Sequence, residues 1–74
     1  MWRVMIVEDD PLMQAFFAAS VQGSGQLDLV CCVGTVAEAK ALLNNAEPQL
    51  DVMLTDLGLP DGSGLEVIRH ARLR

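Results

Sequence analysis

Three short apolar runs alternate with three stretches of helical periodicity, and this order leaves few folds open to the chain. The runs occupy residues 3–7, 27–33 and 51–55. They are nearly continuous in apolar side chains, as strands buried on both faces are. Such alternation predicts an α/β fold with a parallel sheet and helices on its faces. Right-handed crossovers then place the first strand in the middle, in sheet order 2-1-3.

Capping residues mark where each helix begins. Asp10 followed by Pro11 predicts an N-cap and a first helical residue. Thr35 and Ser63 each precede a glutamate by three positions, which predicts two capping boxes, and Pro48 limits the second helix. Helical spacing predicts inward faces made of Leu12, Met13, Phe16, Phe17 and Ala19, then Ala39, Leu42, Leu43 and Ala46, then Leu65, Ile68 and Ala71.

Size and composition exclude several classes of protein. With 74 residues, 51% hydrophobic and 20% charged, the chain is one small domain at most and is not a disordered tail. No apolar run reaches the roughly 18 residues of a membrane span, and we do not expect residues 1–7 to act as a signal peptide. A net charge of −5 argues against direct nucleic-acid binding by this segment. We therefore expect a soluble, cytoplasmic, acidic domain.

The residues that serve as soft ligands and bases are few. Cys31 and Cys32 are adjacent in a predicted strand, so their side chains point to opposite faces and neither a disulfide nor a cysteine zinc site is expected. Both are interpreted as buried small residues in a reducing compartment. His70 is the single histidine, and we expect it on the outer surface of the third helix. A serine or cysteine nucleophile therefore lacks a base.

Acidic residues follow the first and third predicted strands. Glu8, Asp9 and Asp10 close the first run, and Asp56 closes the third. If these strands are neighbours, their carboxyl ends bring four carboxylates into one crevice. Like charges at this spacing are relieved by a divalent cation, and hard oxygen ligands suit Mg²⁺. Read singly, each acid is ordinary: Asp10 as a helix cap and the others as solvated loop residues.

These acids stand in two motifs that resemble a known family. The sequence VEDD at residues 7–10 and DLGLPDGSG at residues 56–64 look like the receiver domain of two-component response regulators. Neither a nucleoside-triphosphate loop nor a dinucleotide fingerprint is present in the sequence. The resemblance implies a truncated, flavodoxin-like (βα)3 portion of a receiver domain, with residues 1–74 as a partial domain. The family has five βα units, of which this chain matches three.

The resemblance assigns roles to individual residues. Asp56 is the implied phosphoacceptor, with a histidine kinase as phosphodonor. Glu8 and Asp9 are the implied acidic pair that holds Mg²⁺ together with Asp56, and the backbone carbonyl of Gly58 completes the protein ligands. Gly64 is expected to let the third helix begin close to this site. The amino-acid sequence of the second motif also implies a parent protein that regulates transcription through a downstream DNA-binding domain.

Two other functional classes remain open from the residues. The hydroxyl residue and the lysine that contact the phosphoryl group in the family belong to units that this chain lacks. The chain could instead be an interaction module that dimerises without phosphotransfer. An enzyme using Asp56 as a phosphatase-type nucleophile is disfavoured, because Gly58 stands where such enzymes have a second aspartate. No enzymatic activity is therefore expected.

The third strand is predicted to form an edge of the sheet. Val52, Met53 and Leu54 have apolar side chains on both faces, with no proline or lysine among them. Edges of this kind pair readily with another chain. We therefore expect self-association through the third strand, most simply as a two-fold dimer.

Overall fold

The alternation of strands and helices is present in the computed structural model, which describes residues 1–47 and 49–73. Its elements are β1 (Trp2–Val7), α1 (Pro11–Gly23), β2 (Leu27–Val33), α2 (Val36–Leu43), β3 (Val52–Thr55), β4 (Gly58–Leu59), β5 (Gly62–Ser63) and α3 (Gly64–Arg72). The α/β fold class is confirmed. Pro48, expected to limit the second helix, lies outside the described residues; α2 ends before it at Leu43.

The main sheet is parallel, with strand order β2-β1-β3 as predicted. β1 pairs with β3 from Val4 opposite Val52 to Val7 opposite Thr55. On its other side β1 reaches Val33 of β2 with the same residue, Val7. The carboxyl ends of all three strands therefore meet at one edge of the sheet, which is where ligands bind in open α/β sheets.

The central strand carries the core. Residues 4–7 of β1 are completely buried, and alternate side chains enter two separate apolar clusters. Met5 and Val7 pack on one face beneath α2 and α3, with Val67. Val4 and Ile6 pack on the other face beneath α1, with Val21. A nearly continuous apolar run is what this two-faced burial requires.

The inward face of α1 differs from the prediction. Leu12 and Phe16 are 81% and 63% exposed, whereas Val21 is buried and Phe17 is partly buried. Met13, Phe17 and Val21 are spaced by four residues and form one stripe along the helix. Leu12 and Phe16 lie on the neighbouring stripe, which this sheet does not cover. The apolar side chains of α1 therefore span a wider arc of the helix than the sheet covers.

The predicted faces of α2 and α3 are also partly wrong. Val67 is completely buried, while Leu65 is 53% exposed and Ile68 lies at the surface. The inward stripe of α3 is formed by positions 64, 67 and 71, because Gly64 rather than Leu65 faces the sheet. On α2, Ala39 is completely buried as predicted, and Leu42 and Leu43 pack against the core from a half-buried position. Ala46 is exposed beyond the end of α2.

The helix starts agree with the capping prediction. Asp10 and Thr35 are the N-caps of α1 and α2, and Ser63 forms a full capping box with Glu66. The segment between β3 and α3 contains a minimal antiparallel pair, β4 with β5. Leu59 of that pair is buried against the core, which anchors the segment that follows β3.

Cys31 and Cys32 are free thiols on opposite faces of β2, as predicted from strand geometry. Both are half-buried rather than fully buried. Burial raises the pKa of each thiol, and the neighbouring Cys32 raises the pKa of Cys31 further. Within residues 1–47 and 49–73, the helices are all too short or too polar to cross a bilayer.

Candidate metal centre

The carboxylates lie where two neighbouring strands end. The N–H of Asp56 donates to the carbonyl of Val7 at 2.9 Å, which extends the pairing of β3 with β1 by one residue. The N–H of Glu8 donates to the carbonyl of Val33 at 2.9 Å, which extends the pairing of β1 with β2. Backbone hydrogen bonds therefore fix the starting points of both acidic segments.

Three of the predicted acids come together. Carboxylate oxygens of Glu8, Asp9 and Asp56 all lie within 4.8 Å of one another. Glu8 is only 5% exposed, while Asp9 and Asp56 are open to solvent. Carboxylates from two exposed residues and one buried residue, all hard oxygen donors, fit Mg²⁺, which keeps part of its water shell. The donor set therefore suits a cation that is also reachable by a second ligand.

Asp10 is not part of this cluster, contrary to the expectation of four converging carboxylates. Its Oδ1 accepts a hydrogen bond from the N–H of Leu12 at 2.9 Å, in the first turn of α1. An N-cap side chain is committed to a helix N–H that would otherwise lack a partner. The first strand therefore contributes two acids to the cluster, and the third acid of the run begins the helix.

Glu8 is held by contacts that the sequence did not indicate. Its Oε2 accepts a hydrogen bond from the N–H of Asp10 at 3.2 Å. The side-chain amide of Gln14 donates to the carbonyl of Glu8 at 2.9 Å. Gln14 therefore ties the first turns of α1 to the acidic segment. No motif in the sequence marks Gln14, because glutamine is common at helix positions.

Asp56 is packed against the start of α3. A Cβ added to Gly64 would lie 2.9 Å from Oγ1 of Thr55 and closer still to the carbonyl oxygen of Asp56. The N–H of Gly64 also donates to the carbonyl of Leu57 at 2.9 Å. Only glycine lets the helix begin this close to the backbone of the acid, as the motif implied. The N–H of Gly58 in turn lies 3.4 Å from Oδ1 of Asp56.

The segment after β3 has a second anchor, at Asp61, which sequence reasoning missed. Its Oδ1 accepts from the N–H of Val36 at 2.7 Å, and its Oδ2 accepts from the N–H of Ala37 at 3.0 Å. These two hydrogen bonds, with the charge of Lys40, hold the pKa of the Asp61 carboxyl below its ordinary value. A side chain that caps a helix from a distant segment leaves no local signature in sequence.

An open cleft of about 380 Å³ adjoins the carboxylates. Its lining residues are Val7, Glu8, Met13, Phe17, Leu54, Thr55, Asp56 and Leu57. The single histidine lies elsewhere: Nε2 of His70 is 2.7 Å from Oδ1 of Asn44, between α3 and the end of α2. His70 is half-buried there, rather than fully solvated. The cleft therefore combines acidic donors with apolar walls and has no imidazole among its lining residues.

Comparison with known proteins agrees with this geometry. The family model of the response regulator receiver domain matches residues 4–74. The transcriptional regulatory protein KdpE of Escherichia coli is 37% identical over 76 residues, covering 97% of this chain and 30% of KdpE. The virulence transcriptional regulatory protein PhoP of Salmonella typhimurium is 40% identical over 73 residues, with the same two coverages of 97% and 30%. The chain thus spans about a third of the curated relatives it matches.

Comparison with solved structures indicates the same family. The MaeR response regulator bound to beryllium trifluoride superposes with a TM-score of 0.85 at 33% identity, covering 99% of this chain and 58% of that one. The non-phosphorylated HemR receiver domain from Leptospira biflexa gives a TM-score of 0.75 at 25% identity, covering 93% and 52%. Receiver domains typically bind Mg²⁺ at an acidic pocket, and Glu8, Asp9 and Asp56 form such a cluster here. By sequence, fold and acidic cluster, the chain belongs to the receiver domains of two-component response regulators.

Proposed function

We propose that Asp56 accepts a phosphoryl group from a histidine kinase, with Mg²⁺ held by Glu8, Asp9, Asp56 and the backbone carbonyl of Gly58. The observation that carries this proposal is the meeting of three carboxylates from two strand ends within 4.8 Å. A solved relative, MaeR, is bound to beryllium trifluoride, a small group with the shape and charge of a phosphoryl group. That relative supports the proposal that this chain also binds a phosphoryl-sized group.

In this proposal one oxygen of Asp56 attacks the phosphorus of the donor. The bond from phosphorus to the donor imidazole breaks, its electron pair returns to the imidazole nitrogen, and an acyl phosphate forms on Asp56. Held by Glu8, Asp9 and Asp56, Mg²⁺ would neutralise the negative charge of the carboxylates and of the incoming phosphoryl group. Glu8 is nearly buried, so its carboxylate is a fixed donor, whereas Asp9 and Asp56 face the solvent from which the donor approaches.

The chain acts in this scheme as an acceptor and not as an enzyme on other molecules. Phosphorylation is expected to be confined to Asp56. It is also expected to be slow, because phosphoryl transfer depends on positioning and charge neutralisation. In the family, a lysine and a hydroxyl residue from later βα units contribute to the positioning and to the charge neutralisation, and residues 1–74 match only the first three units. We further propose that residues 1–74 are the first part of a receiver domain in a transcriptional regulator, as the names of KdpE and PhoP suggest, and that this regulator is cytoplasmic.

The test is Mg²⁺ binding followed by beryllium trifluoride binding, measured by the thermal midpoint and by amide NMR shifts. Trp2 is a poor reporter, because it stands at the opposite end of β1 from Glu8, six residues or roughly 20 Å away. Asp9→Asn and Asp56→Asn should each weaken Mg²⁺ binding by tenfold or more. Asp28→Asn is the matched control, since it removes one exposed charge at the far end of β2.

A reaction with a phosphodonor tests whether Asp56 is the residue that accepts the phosphoryl group. Incubation with a small acyl phosphate and Mg²⁺ should add one phosphoryl group to the intact mass of the wild-type chain and of Asp28→Asn, but not of Asp56→Asn. Equal labelling of Asp56→Asn would show that the acceptor is another residue. Mg²⁺ binding that survives both Asp9→Asn and Asp56→Asn would contradict the assignment of the metal ligands.

A second candidate function is self-association through β3. In the described part of the chain, β3 has β1 on one side and no strand on the other, and Leu54 is 40% exposed. An apolar edge of this kind offers unpaired N–H and C=O groups to a second copy. Light scattering at low micromolar concentration tests it. A dimer that dissociates in Leu54→Lys, while the circular dichroism of the variant remains that of a folded chain, supports this candidate. A folded wild-type monomer of 8.0 kDa contradicts it.

A further inference from the structure

The segment between β3 and α3 is fastened at both of its ends. At its start, Gly58 lies beside the Asp56 carboxylate through an N–H to Oδ1 contact of 3.4 Å. At its end, Gly64 packs on the backbone of Asp56. Between them Leu59 is buried, and β4 pairs with β5. The segment that carries the implied Gly58 ligand is therefore a small closed unit.

Asp61 is the link from this unit to the rest of the fold. Its two carboxylate oxygens accept from two successive N–H groups at the start of α2, at 2.7 and 3.0 Å. α2 already has its own N-cap, because Oγ1 of Thr35 accepts from the N–H of Glu38 at 3.1 Å. Asp61 thus takes up two further donors that a helix start leaves without intrahelical partners. Hydrogen bonds to a charged acceptor are among the stronger ones in proteins.

We propose that Asp61 is a positioning residue for the metal centre: by holding residues 57–62 against the start of α2, it keeps the Gly58 backbone beside Asp56. This inference rests on the proposed Mg²⁺ site. The Asp61 carboxylate accepts its hydrogen bonds from the start of α2 and is not a member of the carboxylate cluster, so its effect is transmitted through the backbone of the segment. When Asp61 is removed, the segment samples other conformations, and the apparent Mg²⁺ affinity falls by the fraction that remains competent.

Thr35→Ala provides the matched control. Thr35 and Asp61 both cap α2, but only Asp61 reaches it from the segment that follows β3. If Asp61 were only a structural cap, Asp61→Ala and Thr35→Ala would each lower the stability of the chain and leave the Mg²⁺ affinity unchanged. A positioning residue affects metal affinity in the Asp61 variants only. Asp28→Asn controls for the loss of one negative charge.

The experiment measures amide hydrogen exchange and Mg²⁺ affinity in Asp61→Ala, Asp61→Asn, Thr35→Ala and Asp28→Asn. In the metal-free chain, Asp61→Ala should speed exchange at the N–H groups of Gly64, Val36 and Ala37. Its Mg²⁺ dissociation constant should rise roughly threefold or more. Asp61→Asn keeps one acceptor oxygen and should lie between wild type and alanine. Thr35→Ala and Asp28→Asn should leave the dissociation constant within about twofold of wild type.

Two results would overturn the inference. One is faster exchange at Val36 and Ala37 with unchanged exchange at Gly64, which would make Asp61 a helix cap alone. The other is an equal loss of Mg²⁺ affinity in Thr35→Ala, which would trace the effect to general stability. A wild-type chain without Mg²⁺ affinity would contradict the proposed function, and the exchange at Gly64 would then decide the role of Asp61 by itself.

Discussion

Gly64→Ala should destabilise the chain although alanine is the better helix former. The added methyl group would lie 2.9 Å from Oγ1 of Thr55, where ordinary contact begins at 3.4 Å, and closer still to the carbonyl oxygen of Asp56. Because that oxygen belongs to the backbone, α3 or the end of β3 must move. Overpacking of this kind costs about 1–3 kcal/mol, and the rigid neighbour places this site in the upper half of that range.

The gain from alanine offsets only part of that cost. Replacing glycine by alanine at a compatible site stabilises by about 0.4–1 kcal/mol through the unfolded chain. The net loss for Gly64→Ala is therefore about 1–2.6 kcal/mol, or a fall in thermal midpoint on the order of 4–20 °C for a domain of this size. Because the displaced group is Asp56, the Mg²⁺ affinity should fall as well.

Gly23→Ala is the matched control, because a Cβ at Gly23 meets nothing within 4 Å. Gly23 is the last residue of α1, and its φ is not positive. This variant should gain about 0.4–1 kcal/mol. The assay is urea unfolding followed by circular dichroism, with thermal melts as a check. The reasoning is refuted if Gly64→Ala is as stable as wild type, or if Gly23→Ala loses as much.

Three further predictions concern packing, pH and thiol reactivity. Val67→Ala should lower the free energy of unfolding by about 1–3 kcal/mol, and Ile68→Ala by less than about 1 kcal/mol, since only Val67 is fully buried; equal losses in urea unfolding would contradict the observed face of α3. The pKa of the Asp61 carboxyl is lowered in the folded chain. Its contribution to stability is therefore complete above the ordinary pKa of the carboxyl and is lost as the pH falls through the lowered pKa of the folded chain. A smaller decrease of the thermal midpoint at acid pH in Asp61→Asn than in wild type would confirm this prediction. Burial raises the pKa values of Cys31 and Cys32, so alkylation by iodoacetamide should be slower than for a free thiol near neutral pH and should accelerate in denaturant.

Sequence reasoning was most accurate where one local rule decides the outcome. The strand alternation, the order of the sheet and the caps at Asp10, Thr35 and Ser63 depend on backbone donors and short spacing. The meeting of Glu8 with Asp56 follows from the same reasoning, because parallel strands end at one edge. These features are fixed by chain geometry before packing is considered.

Helix faces were predicted less well, for a physical reason. The first helix presents apolar side chains over a wide arc, and spacing alone does not say which part of the arc meets the sheet. The structure uses the stripe of Phe17 and Val21 and leaves Leu12 exposed. Asp61 was missed because its partners, Val36 and Ala37, are distant in sequence. Contacts of that kind depend on the relative placement of two elements, which periodicity does not encode.

The complete burial of residues 4–7 has a consequence for cooperativity. The two apolar clusters on either side of the sheet share no buried residue, and four consecutive positions of β1 supply both. We therefore expect a disturbance on one face to be transmitted to the other through a single strand, and the two layers to unfold together. Glu8 and Asp9 follow that strand directly, so the acidic edge cannot keep its geometry once either layer has opened.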